Sequence, residues 1–344
     1  MLRLPPFSYR VAGSVAEAAA ILAGEGPGAR LVAGGTDLFP NMKRRHQRAE
    51  TVVGLMSIPE LRGIGNGGGG GELTIGATTV LAEVAADADV RRRYPAFARA
   101  VSAISSPPLR NMGTLGGNLC LDTRCTYYNQ SEHWRQSIDY CMKEAGEVCW
   151  VAPSSPRCWA HAASDSAPIL CALGARVRLV SEGGERVIPL EELYRDDGID
   201  YLAVERGEIL TEVLLPADSA DGSAKAAFWK LRRRGSIDFA VLSAAAAVWT
   251  DGSGGVRRAR IVLGAVASRP LAVPAAEKAL LGEPLGEETI AEAARLARKA
   301  ATPMDNTDFQ AQWRGRMVEL YTAAALREVA GLDPGLRPPR HAFG

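Results

Sequence analysis

Two short glycine-rich stretches of the sequence decide the fold. The first, at residues 33–37, reads Ala33-Gly34-Gly35-Thr36-Asp37, and the second, at residues 111–119, reads Asn111-Met112-Gly113-Thr114-Leu115-Gly116-Gly117-Asn118-Leu119. Glycine pairs beside Thr, Asn and Asp let the backbone approach an anion closely, with amide and hydroxyl donors directed at phosphate oxygens. Neither stretch matches G-x-G-x-x-G or a P-loop, and either one alone is typical of a tight turn. Together, with one at the end of a predicted strand, they favour a pyrophosphate-binding cradle.

The segments around the first stretch predict a strand–helix–strand unit. Ser14-Val15-Ala16-Glu17 is a capping box that opens an Ala-rich helix, and Gly24 is a candidate left-handed stop for that helix. Residues 30–33 and 51–55 are short apolar strands on either side of a helical turn. A small βαβ-type unit with parallel strands therefore accounts for the first part of the chain.

The remainder predicts an α+β fold. Residues 65–71 form a glycine-rich hairpin tip between two apolar runs, and residues 177–180 and 209–215 alternate as half-buried strands do. Residues 216–223 are typical of a linker between domains. Beyond the linker, the apolar runs at 240–249 and 261–266 are too continuous for strands with one face in solvent. Three helical patterns follow, beginning near Pro274, Glu287 and Phe309.

Composition excludes several classes of function. The chain has 344 residues, 40 Lys+Arg against 39 Asp+Glu, and a formal net charge of +1. This balance lacks the excess of positive charge that binding to nucleic acid or to an anionic membrane requires. The longest near-uniform apolar run, residues 239–249, is shorter than the roughly 18 residues that a spanning helix needs. Prolines at positions 5 and 6 interrupt any signal-peptide pattern. We therefore expect a cytoplasmic protein with its six cysteines reduced or bound to a metal.

The glycine stretches also carry a resemblance to a known family. Together they resemble the paired flavin signatures of the FAD-binding subunits of the molybdenum hydroxylases, the xanthine dehydrogenase family. The resemblance continues through Ser164-Asp165-Ser166-Ala167-Pro168 and through Lys230, Arg234 and Asp238. It spans nearly the whole chain, and four ordered motifs are far more specific than one.

The resemblance implies a domain organisation and a set of flavin-binding residues. Residues 1–218 would form a FAD-binding domain of two subdomains, about 1–56 and 57–218, the second built on a larger mixed or antiparallel sheet. Residues 224–330 would form an α+β C-terminal domain with a three-helix bundle, and residues 331–344 a peripheral tail. The implied FAD-binding residues are Val32, Ala33, Gly34, Gly35, Thr36, Asp37, Thr114, Gly116, Gly117, Asn118, Asp165 and Lys230. A lysine near the flavin also makes chemical sense, because a fixed cation stabilises the anionic reduced form.

An insertion distinguishes this chain from most of the family. Residues 121–161 separate two motifs that nearly adjoin in most relatives, and they contain Cys125, Cys141, Cys149 and Cys158 at separations of 16, 8 and 9. A loop of this length without secondary structure is uncommon, so we expect a metal centre to hold it. Zinc sites usually contain a C-x2-C pair, which is absent here. From spacing alone, an iron–sulfur cluster, zinc and buried free thiols all remain open.

A closer resemblance favours the cluster. An insertion with these cysteine separations resembles that of the flavin subunit of 4-hydroxybenzoyl-CoA reductase, where it carries a [4Fe-4S] cluster. Cys120 and Cys171 are interpreted as small buried residues. His133 and His161 are interpreted as surface or supporting residues of the insertion, because four thiolates suffice for a cluster.

The resemblance implies an electron-transfer role without an acid, base or nucleophile on this chain. Electrons would pass from a ferredoxin-like low-potential donor through the cluster and FAD to [2Fe-2S] clusters and molybdopterin on a small and a large partner subunit. The substrate would be reductively dehydroxylated on the large subunit, and the assembly would be a dimer of heterotrimers. The alternatives are the FAD subunit of another molybdenum hydroxylase, of the xanthine or CO dehydrogenase type, and a zinc-stapled flavoprotein interaction module.

Overall fold

The structure of the chain, a computed structural model, describes residues 2–67, 71–219 and 224–336. The glycine-rich hairpin tip and the linker predicted from the sequence fall partly outside these residues, as does most of the 331–344 tail.

A three-stranded parallel sheet opens the chain. Its strands lie in the order β1-β3-β2, with helix α1 on one side. Ser14 accepts a hydrogen bond from the Glu17 amide at the start of α1, as the capping box predicts. The helix continues past Gly24 and stops at Gly26, whose positive φ of 68° glycine tolerates because it has no Cβ. The elements are β1 (Ser8–Val11), α1 (Val15–Glu25), β2 (Ala29–Val32), α2 (Leu38–Lys43) and β3 (Thr51–Gly54).

A five-stranded antiparallel sheet forms the second layer, in the order β4-β5-β8-β6-β7. Helices pack on it through one large apolar core, which includes Phe97, Leu115 and Leu170. The elements are β4 (Ile64–Asn66), β5 (Leu73–Gly76), α3 (Leu81–Ala86), α4 (Ala88–Arg93), α5 (Pro95–Ser102), α6 (Pro107–Arg110), α7 (Leu115–Leu119), α8 (Glu132–Ser137), α9 (Ser166–Ala172), β6 (Arg176–Ser181), β7 (Gly184–Pro189) and β8 (Ile209–Leu215).

The C-terminal part combines a four-stranded antiparallel sheet, in the order β12-β11-β10-β9, with three helices. All three helices begin within two residues of their predicted starts. The elements are β9 (Ala224–Leu231), β10 (Leu242–Thr250), β11 (Val256–Gly264), β12 (Leu271–Ala272), α10 (Pro274–Leu280), α11 (Glu287–Ala300) and α12 (Ala311–Ala330).

The burial of strand β10 on both faces explains the continuous apolar run at residues 240–249 of the sequence. Its alternate residues pack into two different cores: Ala245, Ala247 and Trp249 join the core of the five-stranded layer. Ala244, Ala246 and Val248 join the core beneath the C-terminal helices. A strand buried on both faces needs no polar alternation, and its alanines allow helices to pack closely on either side.

The insertion has little regular structure. It contains the short helix α8 and otherwise turns, and its two ends are joined by a bridge between Arg124 and His161. The overall architecture is the α+β fold that the sequence predicts, and its sheets are one parallel and two antiparallel. Within the described ranges, no helix is long and apolar enough to cross a membrane.

Candidate functional site

The two glycine-rich stretches contact each other. The first follows β2, and the second leads into α7, where the Thr114 hydroxyl accepts from the Gly117 amide at 3.2 Å. A side chain on Gly34 would collide with the backbone carbonyl of Met112, so the absence of a Cβ is what lets the two stretches approach. Gly116 is also constrained, because its Cβ would lie 2.8 Å from that of Ala77.

A cavity of about 370 Å³ lies where the two stretches meet, and we call it the flavin cavity after the cofactor that the sequence resemblance implies. Its walls include ten of the twelve flavin-binding residues implied by the sequence: Val32, Ala33, Gly34, Gly35, Thr36, Asp37, Thr114, Gly116, Gly117 and Asn118. Further wall residues come from distant parts of the chain and were not anticipated; they include Gln47, Ile104, Asp122, Tyr201, Ile209 and Phe239. The first set offers polar groups and bare backbone. The second adds apolar surface from Ile104, Ile209 and Phe239 beside the polar side chains of Gln47 and Asp122, and such a mixture is expected of a cofactor site.

The polar part of the cavity fits a pyrophosphate group. Within the described chain, the amides of Gly34, Gly35 and Thr36 donate to no protein acceptor. Gly35 has a φ of 68°, which turns the backbone sharply at this point. A Cβ on Gly117 would meet only the Thr114 hydroxyl, at 3.0 Å, and no backbone atom. Free amide donors beside an open glycine are what a phosphate oxygen requires.

The other two implied residues, Asp165 and Lys230, form a buried ion pair. The Lys230 ammonium donates to Asp165 Oδ2 at 2.6 Å and to the carbonyls of Ala103 and Asp238. Both residues lie outside the cavity lining. Burial raises the pKa of Asp165, and Lys230 opposes that shift. Asp165 Oδ1 is buried without a hydrogen-bond partner, and an orphaned acceptor of this kind fits a donor supplied by a bound cofactor.

Asn118 connects this ion pair to the second glycine stretch. Its side-chain oxygen accepts from the hydroxyls of Ser164 at 2.9 Å and Ser166 at 2.6 Å, on either side of Asp165. The sequence identified the second glycine stretch and the segment at residues 164–168 separately, and the structure shows that the two are joined by hydrogen bonds.

Replacing Lys230 with methionine should destabilise the chain by about 3–5 kcal/mol, because it leaves Asp165 buried without its counter-ion. Urea unfolding of flavin-free protein measures the change. Lys225→Met is the matched control, since Lys225 is exposed on the same strand. A decrease in the free energy of unfolding of less than about 1 kcal/mol, which is typical of ion pairs on the surface, would contradict the assignment of a buried pair.

Arg124, at the start of the insertion, also reaches the cavity wall. Its guanidinium pairs with Asp37, donates to Asn41 Oδ1 at 3.3 Å, and lies 4.6 Å from the centre of the Phe239 ring. Burial raises the pKa of Asp37, and Arg124 opposes that shift. The insertion and the flavin cavity are therefore parts of one structural unit.

The four insertion cysteines line one small cavity, which we call the cysteine cavity. Cys125, Cys141, Cys149 and Cys158 are all buried, and the cavity wall also includes Tyr128 and Lys143. No imidazole or carboxylate contributes to this wall. Burial raises the pKa of Cys125 to about 12 and that of Cys158 to about 11, so that a metal would have to displace protons on binding. Across the described residues, no three His, Cys, Asp or Glu side chains are grouped to hold a single metal ion.

Buried polar side chains fix the insertion to the segment that follows α2. Arg135, 1% exposed, donates to the carbonyls of Gln130 and Arg44 and pairs with Glu144. The Tyr128 hydroxyl donates to the His46 carbonyl at 2.7 Å. Burial also lowers the pKa of His46 to about 4, so its ring is neutral in this interface at neutral pH.

The remaining cysteines and histidines of the sequence analysis lie apart from the cysteine cavity. Cys171 is buried in α9, as expected. Cys120, interpreted from the sequence as a small buried residue, is partly buried against the main apolar core and also lines the flavin cavity. His133 is exposed, whereas His161 is buried and has a pKa lowered to about 3 by burial.

The fold and the glycine-lined cavity define a dinucleotide-binding subunit with a second, thiol-rich centre close by. Residues 5–218 match the FAD-binding domain of molybdopterin dehydrogenases, and residues 226–329 match the C-terminal domain of the CO dehydrogenase flavoprotein. The chain belongs to the family of FAD-binding subunits of the molybdenum hydroxylases.

Individual relatives extend over nearly the whole chain. The alpha subunit of the 6-hydroxypseudooxynicotine dehydrogenase complex of Paenarthrobacter nicotinovorans is 30% identical over 94% of this chain and 96% of its own length. The FAD-binding subunit of an Escherichia coli K12 aldehyde oxidoreductase is 34% identical, covering 80% and 86%. Among solved structures, the CO dehydrogenase of Hydrogenophaga pseudoflava superposes with a TM-score of 0.78 at 27% identity, covering 96% of this chain and 99% of that one.

Proposed function

We propose that the chain is the FAD- and [4Fe-4S]-binding electron-transfer subunit of a molybdenum-containing complex of the 4-hydroxybenzoyl-CoA reductase type. The observation that carries the proposal is the common cavity of Cys125, Cys141, Cys149 and Cys158, built into an insertion that is attached to the flavin cavity through Arg124. Four thiols around one cavity, without other ligand types, suit an iron–sulfur cluster.

The flavin site is assigned by family and by fit. Gly34, Gly35 and Thr36 would donate backbone amides to the pyrophosphate, and Gly117 would leave room for it. Asp165 Oδ1 would accept from a polar edge of the flavin, and Lys230 would hold Asp165 in place and keep a positive charge nearby. FAD, when bound, supplies the capacity to exchange electrons one or two at a time.

The partners follow from the family. A large subunit would carry molybdopterin and the substrate site, and a small subunit would carry [2Fe-2S] clusters, in a dimer of heterotrimers. Similar chains carry the names of dehydrogenases and oxidoreductases. The reductase assignment depends on the cysteine insertion alone, with a ferredoxin-like donor as its corollary.

The proposal is tested on the complex purified without oxygen. Iron, zinc and flavin are determined per subunit after separation, and we expect about four iron atoms on this chain. A brown colour that persists after the flavin bands bleach would agree with that result. Zinc in place of iron would support the interaction-module alternative and refute the cluster.

The direction of electron flow is tested separately. A reductase should dehydroxylate 4-hydroxybenzoyl-CoA with a reduced low-potential donor and should not use NADH. Oxidation of an aldehyde, a purine or CO by a complex whose flavin chain lacks iron would instead favour the molybdenum hydroxylase alternative.

A further inference from the structure

Lys143 is buried at the wall of the cysteine cavity, two residues after Cys141. Its side chain is 5% exposed, although lysine is among the residues least often buried. The same cavity wall includes Cys141, Cys149 and Cys158. A lysine in this position therefore adds a positive charge to a wall whose other described residues are thiols and uncharged side chains.

The ammonium group is held in one place by three acceptors. It donates to Asp122 Oδ1 at 2.7 Å, to Thr123 Oγ1 at 2.6 Å and to the Gly198 carbonyl at 2.5 Å. These contacts use all three of its protons. The rings of Tyr128 and Tyr201 lie over the same nitrogen at 5.0 and 5.3 Å, which adds cation–π attraction.

The counter-ion of Lys143 belongs to the flavin cavity. Asp122 has a side chain that is 6% exposed, lines that cavity, and accepts from Gln47 Nε2 at 3.1 Å through its other oxygen. Gln47 and Tyr201 line the flavin cavity as well. One buried ion pair thus stands between the two cavities, with its cation at the cysteines and its anion at the flavin side.

We propose that Lys143 is a positioning residue whose fixed charge sets the reduction potential of the cysteine-bound centre, with Asp122 as a counter-ion shared with the flavin cavity. This inference rests on the proposed function, because it presumes that the four cysteines bind a redox-active cluster. Net charge near a cluster is one of the main determinants of its potential. A cation at the thiols favours the reduced state, which carries the additional negative charge.

The test compares midpoint potentials by EPR-monitored titration of the purified complex. Lys143→Met should lower the cluster potential by at least the equivalent of a tenfold change in the reduction equilibrium, about 59 mV for one electron. Lys143→Arg keeps the charge and should stay close to wild type. Lys299→Met, at an exposed lysine in α11, is the matched control and should leave the potential unchanged.

Lys143→Met leaves the buried Asp122 carboxylate without its counter-ion, and this destabilisation alone can release the cluster. A second variant therefore removes the carboxylate as well. Lys143→Met/Asp122→Asn removes both charges, and its potential should fall between those of wild type and Lys143→Met. A purely structural role for Lys143 would change iron content without ordering the potentials in this way.

The outcomes separate the two proposals. A wild-type chain without iron refutes the proposed cluster and this inference together. If the wild-type chain holds a full cluster, and the cluster potential of Lys143→Met or of the double variant equals that of wild type, the proposed role of Lys143 is overturned while the cluster assignment stands. Loss of iron from Lys143→Arg would also overturn that role, because that variant keeps the positive charge.

Discussion

Cys141→Ser protein should lose its iron, while Cys171→Ser protein should keep it. Cys141 lines the common cavity with the other three insertion cysteines, whereas Cys171 is buried in α9 within the main apolar core. Cluster binding requires all four thiolates, so we expect the same loss, or a labile cluster, in Cys125→Ser, Cys149→Ser and Cys158→Ser. Iron analysis and low-temperature EPR of dithionite-reduced protein measure the result.

Cys120→Ser is the sharper control, because Cys120 precedes Cys125 by only five residues and could be mistaken for a ligand. It lines the flavin cavity and not the cysteine cavity, so its substitution should leave iron intact. FAD should remain bound in the four ligand variants, since the glycine stretches lie on the scaffold outside the insertion. Retention of the cluster in Cys141→Ser with its loss in Cys120→Ser would show that the ligand set is wrong.

The insertion shows where sequence reasoning stops. Cysteine spacing and loop length predicted a centre in residues 121–161, and the structure brings the four thiols to one cavity. The side chains that hold the insertion in place, such as Arg135 and Lys143, carried no local signal. The carbonyls of Arg44 and Gly198, which accept from these two side chains, lie outside the insertion, 91 and 55 residues away along the chain. Only tertiary structure shows that these polar residues are buried.

The helices and strands were likewise predictable only where the local sequence carries a pattern. The three C-terminal helices were predictable because of their helical sequence patterns. Strands β2 and β3 were predictable as short apolar runs on either side of a helical turn. Strand β1 was missed. All four of its residues, Ser8–Val11, are exposed, so this edge strand has no alternation of buried and exposed positions. It is held by main-chain pairing with β3, which the sequence does not record.

The flavin cavity was predicted at its glycines and missed at its apolar wall. Ten of the twelve implied residues line it, because the motif residues are adjacent in the sequence. Ile104, Tyr201 and Phe239 come from three separate loops, and no spacing rule connects them. The contact of Gly34 with Met112 also changes the explanation for that glycine: it is required by the protein itself. Gly34→Val would disturb the fold whether or not a cofactor binds, so it is a poor test of the cradle.

Gly117→Val is the better test, and it should abolish FAD retention while leaving the chain folded. The Gly117 Cβ would meet only Thr114 Oγ1, at 3.0 Å, so the protein can accommodate it by a small adjustment. Gly117 lines the flavin cavity, where the valine methyl groups would occupy space needed by the pyrophosphate. We expect FAD affinity to fall by roughly 100-fold or more, equivalent to about 2.7 kcal/mol.

Gly24→Val is the matched control for this substitution. Gly24 is also a helical glycine, its Cβ would meet no atom within 4 Å, and it is exposed on α1. Fluorescence titration of flavin-free protein with FAD gives the affinity, and circular dichroism with urea unfolding shows whether each variant is folded. Gly117→Val protein that is folded and binds FAD as tightly as Gly24→Val would remove Gly117 from the cradle. Loss of binding with an unfolded spectrum would contradict the expectation that the scaffold tolerates the side chain.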